Sequence, residues 1–292
     1  MNHKSGFVNI IGNPNVGKST LMNALVGTRL SVITAKAQTT RHRIMGLVNG
    51  EDYQIVFSDT PGILDPHYLL QESMMKEVGT ALEDADVFLL VIDVNEGFEH
   101  TEVLDKIIRS EIPTLLLLNK IDLSNQEKVL LAYNEWQKKL PNAEILPLSA
   151  LHGFNVDTVI DRILEKLPEC PPYYDKDELT DRPERFFVSE IIRSNILELY
   201  RKEVPYSVEV VIDSFVDDTH NLSIGAEIFV ARESQKVIMI GEEGRAIKRL
   251  GITARMDLEK FFGKHIFLDL RIKVSKDWRE DKNQLRKFGY PL

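Results

Sequence analysis

Gly12-Asn13-Pro14-Asn15-Val16-Gly17-Lys18-Ser19 fits the spacing G-x-x-x-x-G-K-[ST], a loop whose backbone N–H groups surround phosphate oxygens. Phe7-Val8-Asn9-Ile10-Ile11 precedes it and reads as a strand. Thr20-Leu21-Met22-Asn23-Ala24-Leu25 follows and reads as a helix. A glycine-containing turn without a ligand is the competing explanation, and three further clusters argue against it. Asp59-Thr60-Pro61-Gly62 follows the apolar run Tyr53 to Phe57. Asn119-Lys120-Ile121-Asp122 follows Thr114 to Leu118. Ser149-Ala150-Leu151 follows Ile145 to Leu148. Each cluster ends a strand-length apolar run, where an open parallel α/β sheet places its ligands.

The chemistry of a nucleoside triphosphate gives each cluster a task. Lys18 suits the β- and γ-phosphates, and Ser19 suits Mg²⁺. Asp59 is expected to hold that ion through water. Gly62 offers a backbone N–H to the γ-phosphate, and its missing Cβ permits close approach. Asp122 accepts two hydrogen bonds from the N1–H and exocyclic amine of guanine, which adenine lacks on that edge. Leaving that carboxylate unpaired is costly, so it selects guanine. Asn119 ties the base-binding loops together, Lys120 lays its stem on the base plane, and the Ala150 N–H meets guanine O6. The adjacent Thr20, Thr60, Pro61, Ile63, Ile121 and Ser149 complete the expected GTP-binding set.

The order GxPNVGKS, TT, DTPG, NKID, SA resembles that of the translation-factor-related GTPases, and within them the Era family. Ala37-Gln38-Thr39-Thr40-Arg41-His42-Arg43-Ile44 matches that family's first switch. The match implies Thr40 as a ligand of Mg²⁺ and the γ-phosphate. Thr39 is the other candidate, and without the match the pair reads as a polar loop. Lys18, Thr40, Asn15 and Gly62 form the expected catalytic set. Ile63 stands where Ras-like enzymes carry a water-orienting Gln. An aliphatic side chain cannot orient water, so slow intrinsic hydrolysis is expected. Asn15 has two readings: recruiter of a charge-neutralising K⁺, as in members of this subgroup, or simple turn residue.

These residues must be held by a sheet. The chain has 292 residues, room for two domains. Upstream, strands alternate with helical patterns, which predicts right-handed βαβ units. Arg43 to Val48 and Asp52 to Phe57 flank Asn49-Gly50-Glu51, a hairpin turn, so one edge strand should run antiparallel. The expected fold class is α/β, a mostly parallel P-loop sheet over residues 1–170 with helices on both faces. Leu167-Pro168-Glu169-Cys170-Pro171-Pro172 cannot continue a helix, and 171–185 reads as a linker. A smaller α+β domain is expected over 186–292.

In that second part, Ser189 to Lys202 reads as a helix, and Ser207 to Phe215 and Leu222 to Ala231 as strands joined by a turn over 217–221. Gly241-Glu242-Glu243-Gly244 precedes a helix that buries Ile247 and Leu250 and presents Arg245, Lys248 and Arg249. A further helix from Thr253 carries Arg255 and places Ala254, Leu258, Phe261 and Phe262 at core spacing. His265 to Val274 reads as a strand. This pattern resembles a type II KH domain, whose GxxG backbone clamps single-stranded RNA. On its own, GxxG also describes an ordinary helix–helix turn. Glu242 and Glu243 depart from the family pattern, since two carboxylates beside phosphates weaken backbone affinity. Arg245, Lys248, Arg249 and Arg255 must compensate, or binding must rest on base readout. The tail, Trp278 to Tyr290, either contacts RNA or is solvated.

The resemblance implies a GTPase that binds the 3′ region of 16S ribosomal RNA and assists 30S assembly, with RNA rather than DNA as partner. It also implies a cytoplasmic protein that associates peripherally with the inner membrane. A tRNA-modification GTPase shares TT, DTPG and NKID, but carries a helical or cofactor domain in place of a GxxG module. An assembly factor using GTP only as a ligand is the non-enzymatic alternative. Cys170 is the sole cysteine, which fits a reducing compartment. Met1 to Ser5 leads straight into the first strand, leaving no expected signal peptide, and no apolar run reaches membrane-span length. The net charge of −9 is uneven: residues 1–185 carry 18 Lys and Arg against 28 Asp and Glu, while 186–292 carry 18 against 17. The C-terminal part is therefore less hostile to a polyanion.

Overall fold

The computed structural model describes residues 3–34, 36, 38–218 and 221–292. Ala37 of the first-switch match, and Thr219 and His220 of the expected turn, lie outside them. The chain divides into two compact units, Met1–Asp65 with Met74–Asp181, and Pro66–Ser73 with Arg182–Leu292.

The first unit is built on β1 (Lys4–Ile11), α1 (Lys18–Val26), β2 (Ile44–Asn49), β3 (Tyr53–Asp59), α2 (Leu69–Glu83), β4 (Val87–Asp93), α3 (Thr101–Ser110), β5 (Thr114–Asn119), α4 (Gln126–Lys139), β6 (Glu144–Pro147) and α5 (Val156–Lys166). The sheet order is β2-β3-β1-β4-β5-β6. All neighbours are parallel except β2 and β3, the expected antiparallel edge. The inner strands read as unbroken apolar runs because both faces are covered. Phe88, Leu90 and Ile92 pack with Val78 of α2, Val103 and Ile107 of α3 and Trp136 of α4. Register aligns the polar strand ends: Ile10 stands opposite Asp59 and Asp93 opposite Asn119. One rim of the sheet thus collects the residues of interest.

The expected linker is bound along the open edge. Leu47 N donates to Leu179 O, Thr180 Oγ1 to Met45 O, and Met45 N to Asp181 Oδ1. The buried Gln54 accepts from Tyr173 N and Tyr174 N. Edge N–H and C=O groups of β2 are satisfied in this way. Glu184 and Arg185 already belong to the next helix.

The second unit carries α6 (Glu184–Leu199), β7 (Val208–Asp217), β8 (Asn221–Val230), α7 (Glu233–Ile240), α8 (Arg245–Phe262), β9 (His265–Val274) and α9 (Lys282–Lys287). Its sheet order is β7-β8-β9, antiparallel then parallel. Ile192 and Ile196 of α6, and Leu250, Ala254 and Leu258 of α8, pack on Leu222, Ile224 and Ile228. Two expectations are corrected. The helices read separately after Gly244 and from Thr253 are one 18-residue helix. Gly251 lowers helix propensity by only about 1 kcal/mol, which core packing on either side overrides. Ile247 is half-buried rather than buried, and Phe261 is exposed. The tail is anchored rather than solvated: Trp278 Nε1 donates to Ser207 O at 3.0 Å and Tyr290 Oη to Glu209 Oε2 at 2.6 Å, all buried.

Candidate functional site: a nucleotide cavity and a GxxG groove

A cavity of about 250 Å³ opens at the polar rim of the first unit. The loop between β1 and α1 forms one wall, and its shape requires one glycine within it and another packed against it. Gly17 sits at φ +99°, and a Cβ there would lie 2.3 Å from Asn119 Nδ2. A Cβ on Gly62 would lie 2.7 Å from Pro14 Cα, so the loop after β3 closes directly on the phosphate loop.

Lys18 opens α1 and donates to Gly12 O at 3.0 Å and Asn13 O at 2.8 Å. Burial pushes its ammonium down to about 8, against the opposing pull of Asp59. Ser19 Oγ donates to Asp59 Oδ2 at 2.7 Å and lies 3.0 Å from Thr40 Oγ1. Thr39 turns elsewhere, donating to Lys36 O and meeting Thr34 Oγ1. Asp59 is fully buried, and desolvation raises its carboxyl above the usual range. Its Oδ1 has no hydrogen-bond partner. A buried carboxylate oxygen left unpaired is expensive. Beside two hydroxyls it suits a hard divalent cation that keeps water and phosphate oxygens in its shell. Among the described residues no cluster of three His, Cys, Asp or Glu could hold a metal, so such an ion would depend on this mixed donor set.

At the far end, Asn119 Nδ2 donates to Val16 O at 2.8 Å and Oδ1 accepts from Ala150 N at 3.0 Å. The side chain joins the phosphate loop to the Ser149 loop. Asp122 accepts from Ser149 Oγ at 2.6 Å. Lys120 adopts φ +62° and its Nζ sits 2.8 Å from Asp93 Oδ2. Asn15 also lines the cavity, exposed and at φ +63°.

Several expected residues do not line the cavity. These are Gly12, Asn13, Val16, Asp59, Thr60, Pro61, Ile121 and Ser149. Thr60 Oγ1, for example, donates to Ile10 O. Ile63 is 4% exposed and packs in the core with Ile11 and Val78, while its N–H donates to Gly12 O. Conversely, Val32, Ile33 and Leu123 line the cavity and were missed, and Leu151, read only as the end of the Ser149 cluster, lines it too. Asp93 was also missed, although it too ends an apolar strand.

In the second unit the GxxG turn joins α7 to α8. Gly241 and Gly244 have φ of +72° and +74°, and Glu243 between them has +51°. Glu243 Oε2 accepts from an Arg245 guanidinium nitrogen at 2.6 Å. A groove of about 400 Å³ runs between α8 and β9. Lys248 and Arg255 border it, with Ile247, Ile252 and Leu268 among its apolar walls. Arg245 and Arg249 lie instead on a second depression with Glu242 and Tyr200. The apolar groove residues of β9 were not foreseen. Strand alternation exposes Phe267 while burying Ile266.

A mostly parallel sheet with a phosphate loop, a buried Ser–Thr–Asp cluster and an Asn–Asp base site defines a guanine-nucleotide-binding GTPase domain, here followed by a KH-type domain. Residues 7–120 match the family model of 50S ribosome-binding GTPases, and residues 203–279 match that of KH domains. The GTPase Era of Staphylococcus haemolyticus is 42% identical over 99% of this chain and 97% of its own. That of Syntrophus aciditrophicus is 44% identical over 98% and 95%. A crystal structure of an Aquifex aeolicus Era variant bound to GDP·AlF₄⁻ has a TM-score of 0.94 and 41% identity, covering 99% of this chain and 100% of that one. Era in complex with MgGDPNP and nucleotides 1506–1542 of 16S ribosomal RNA gives the same values. The chain belongs to the Era family of GTPases.

Proposed function

We propose that the chain binds and slowly hydrolyses GTP, and that nucleotide state sets its affinity for the 3′ region of 16S ribosomal RNA during small-subunit assembly. The observation carrying the nucleotide half is Asp59 Oδ1, buried and unpaired beside the Ser19 and Thr40 hydroxyls. Ser19 and Thr40, with Asp59 acting through water, would hold Mg²⁺, which would supply charge neutralisation at the phosphates. Lys18 exchanges its two carbonyl contacts for phosphate oxygens. Gly62 offers its N–H to the γ-phosphate. Asp122 reads the guanine edge, released from Ser149, and Lys120 lies along the base. Ile63 places no polar atom near the attacking water, so intrinsic turnover is slow.

The RNA half uses the backbone of Gly241, Glu242, Glu243 and Gly244 and the α8–β9 groove bordered by Lys248 and Arg255; Arg245 and Arg249 lie outside that groove, on the neighbouring depression. Nucleotide work falls to residues 1–170 and RNA work to the C-terminal part, whose first helix begins already at Glu184. A role on 30S subunits is consistent with a cytoplasmic protein. No helix of the described residues is long and apolar enough to cross a membrane, and peripheral association with the inner membrane rests on the family resemblance alone.

Equilibrium titration tests both halves. Fluorescent GTP should bind with an affinity that EDTA lowers. The rRNA fragment spanning nucleotides 1506–1542 should bind more tightly with a non-hydrolysable GTP analogue than with GDP. Indifference to EDTA overturns the metal assignment, and equal RNA affinity in both states overturns the switch.

A further inference from the structure

The sequence Gly241 to Arg245 sets two carboxylates against one guanidinium. A loop that held RNA by charge would have the opposite balance, because phosphate neutralisation dominates nucleic-acid affinity. Glu243 takes up φ +51°, a left-handed conformation that disfavours residues with a Cβ. From there its carboxylate lies 2.6 Å from the Arg245 guanidinium. Both side chains are more than 70% exposed, so the pair is weak as a contribution to folding. Its consequence is electrostatic. Any phosphate that reached Arg245 would also approach Glu243, and the two effects oppose. Lys248, one turn along α8, makes no ion pair among the described residues and borders the apolar α8–β9 groove.

We propose that Glu243 withholds Arg245 from the RNA backbone, making this loop an electrostatic check that leaves affinity to bases entering the α8–β9 groove. Resting on the RNA-binding reading above, this assigns Glu243 as a specificity-determining residue and divides the cations of α8 into two groups. Lys248 meets phosphate. Arg245 is spent on Glu243. Strands offering only phosphates gain little from the loop, whereas strands whose bases fit between Ile252 and Phe267 bind.

The test is the salt dependence of binding, since each phosphate neutralised on a single strand contributes a slope of about −0.7 in log K against log salt. Full-length protein with a GTP analogue is titrated with the rRNA fragment and with oligouridine of equal length, from about 50 to about 300 mM salt. Arg245→Gln should leave the slope within about 0.3 of wild type, while Lys248→Gln flattens it by about 0.7. Glu243→Gln should steepen it by about 0.7 and tighten both RNAs about five-fold at the lowest salt, and adding Arg245→Gln should restore the wild-type slope. Phe267→Ala, at an exposed position, should weaken the fragment at every salt with no change in slope. A flattening of about 0.7 by Arg245→Gln alone, or an unchanged slope in Glu243→Gln, overturns the proposal. Normal fragment binding by Phe267→Ala overturns its groove half. Wild-type binding of the fragment no tighter than oligouridine instead overturns the RNA reading itself, so the two failures are distinguishable.

Discussion

Thr40 Oγ1 lies 3.0 Å from Ser19 Oγ, and both hydroxyls converge on the same oxygen of Asp59, at 3.3 and 2.7 Å. The neighbouring Thr39 hydroxyl is committed to Lys36 O. The arrangement gives a residue-level prediction. Thr40→Ala should weaken Mg²⁺-dependent binding of a GTP analogue about 10- to 100-fold, the effect of a lost hydrogen bond to a charged group, with a smaller loss for GDP. Thr39→Ala should change either by less than about three-fold. Titration calorimetry at several Mg²⁺ concentrations checks this, and equal effects of the two substitutions would sink the assignment of Thr40.

The Lys18 ammonium gives the site a pH signature. Burial brings it from 10.5 down to about 8. Between pH 8 and 10.5 the unfolded chain therefore holds a proton that the nucleotide-free folded chain has lost, and stability against unfolding rises with pH across that window. Below pH 8 both states are charged and the desolvation penalty is fully present. Phosphates reverse the preference by favouring the charged form. GDP affinity should then fall above pH 8, approaching about ten-fold per pH unit. Fluorescent-GDP titrations from pH 7 to 9.5 measure the slope, and Lys18→Met should remove it.

Asp122→Asn should sharply weaken GTP and improve xanthosine triphosphate. The new amide donates where the carboxylate accepted, opposite a C2 carbonyl. The discrimination involved is on the order of several kcal/mol. Ser149→Ala, which removes the 2.6 Å hydrogen bond to Asp122, should have a much smaller effect in the same competition assay. Unchanged GTP affinity in Asp122→Asn removes that residue from the base site.

Much of this site was legible because each polar cluster ends an apolar run. Thr114 to Leu118 and Val87 to Ile92 are buried on both sheet faces, so they carry no alternation and their ends stand out. The choice between Thr39 and Thr40 was not legible, because a loop has no periodicity to fix which of two adjacent hydroxyls turns inward. Chain-distant contacts were hidden for a related reason. Gln54 capping Tyr173 and Tyr174, and Asp93 pairing with Lys120, join segments whose proximity only the sheet order creates. In the second unit, Gly251 reads locally as a break, yet Leu250 and Ala254 flank it on one buried stripe. Packing on β8 and α6 carried the helix through.

Asn15, exposed at φ +63°, is in a conformation that asparagine tolerates well, so turn geometry alone accounts for it. A role in K⁺ recruitment requires more. Intrinsic hydrolysis should be about 10⁻⁴ to 10⁻² s⁻¹, the range of enzymes without an activating residue. If Asn15 recruits K⁺, replacing Na⁺ with K⁺ should accelerate single-turnover hydrolysis and Asn15→Ala should abolish the difference. Equal wild-type rates in both salts leave Asn15 as a turn residue.

Gly244 tests whether nucleotide and RNA sites communicate. Its φ of +74° strains any L side chain, although no atom lies within 4 Å of where a Cβ would be. Gly244→Asp therefore distorts the clamp backbone without a steric clash, and adds a third carboxylate to Glu242 and Glu243. RNA binding should collapse, while nucleotide affinity and unstimulated hydrolysis stay near wild type, because the Lys18–Asp59–Asp122 site contains none of these residues. Lys248→Glu should weaken binding less and flatten its salt dependence. Linkage then imposes a quantitative constraint. If the GTP state favours RNA by some factor, RNA must tighten GTP binding by the same factor. Measuring GTP-analogue affinity with and without the rRNA fragment, in wild type and in Gly244→Asp, checks both claims together. The wild type should show the reciprocal factor, and Gly244→Asp should lose it while keeping the RNA-free value. Full RNA binding by Gly244→Asp would exclude the GxxG backbone from the clamp, and a wild-type GTP affinity indifferent to bound RNA would exclude the switch.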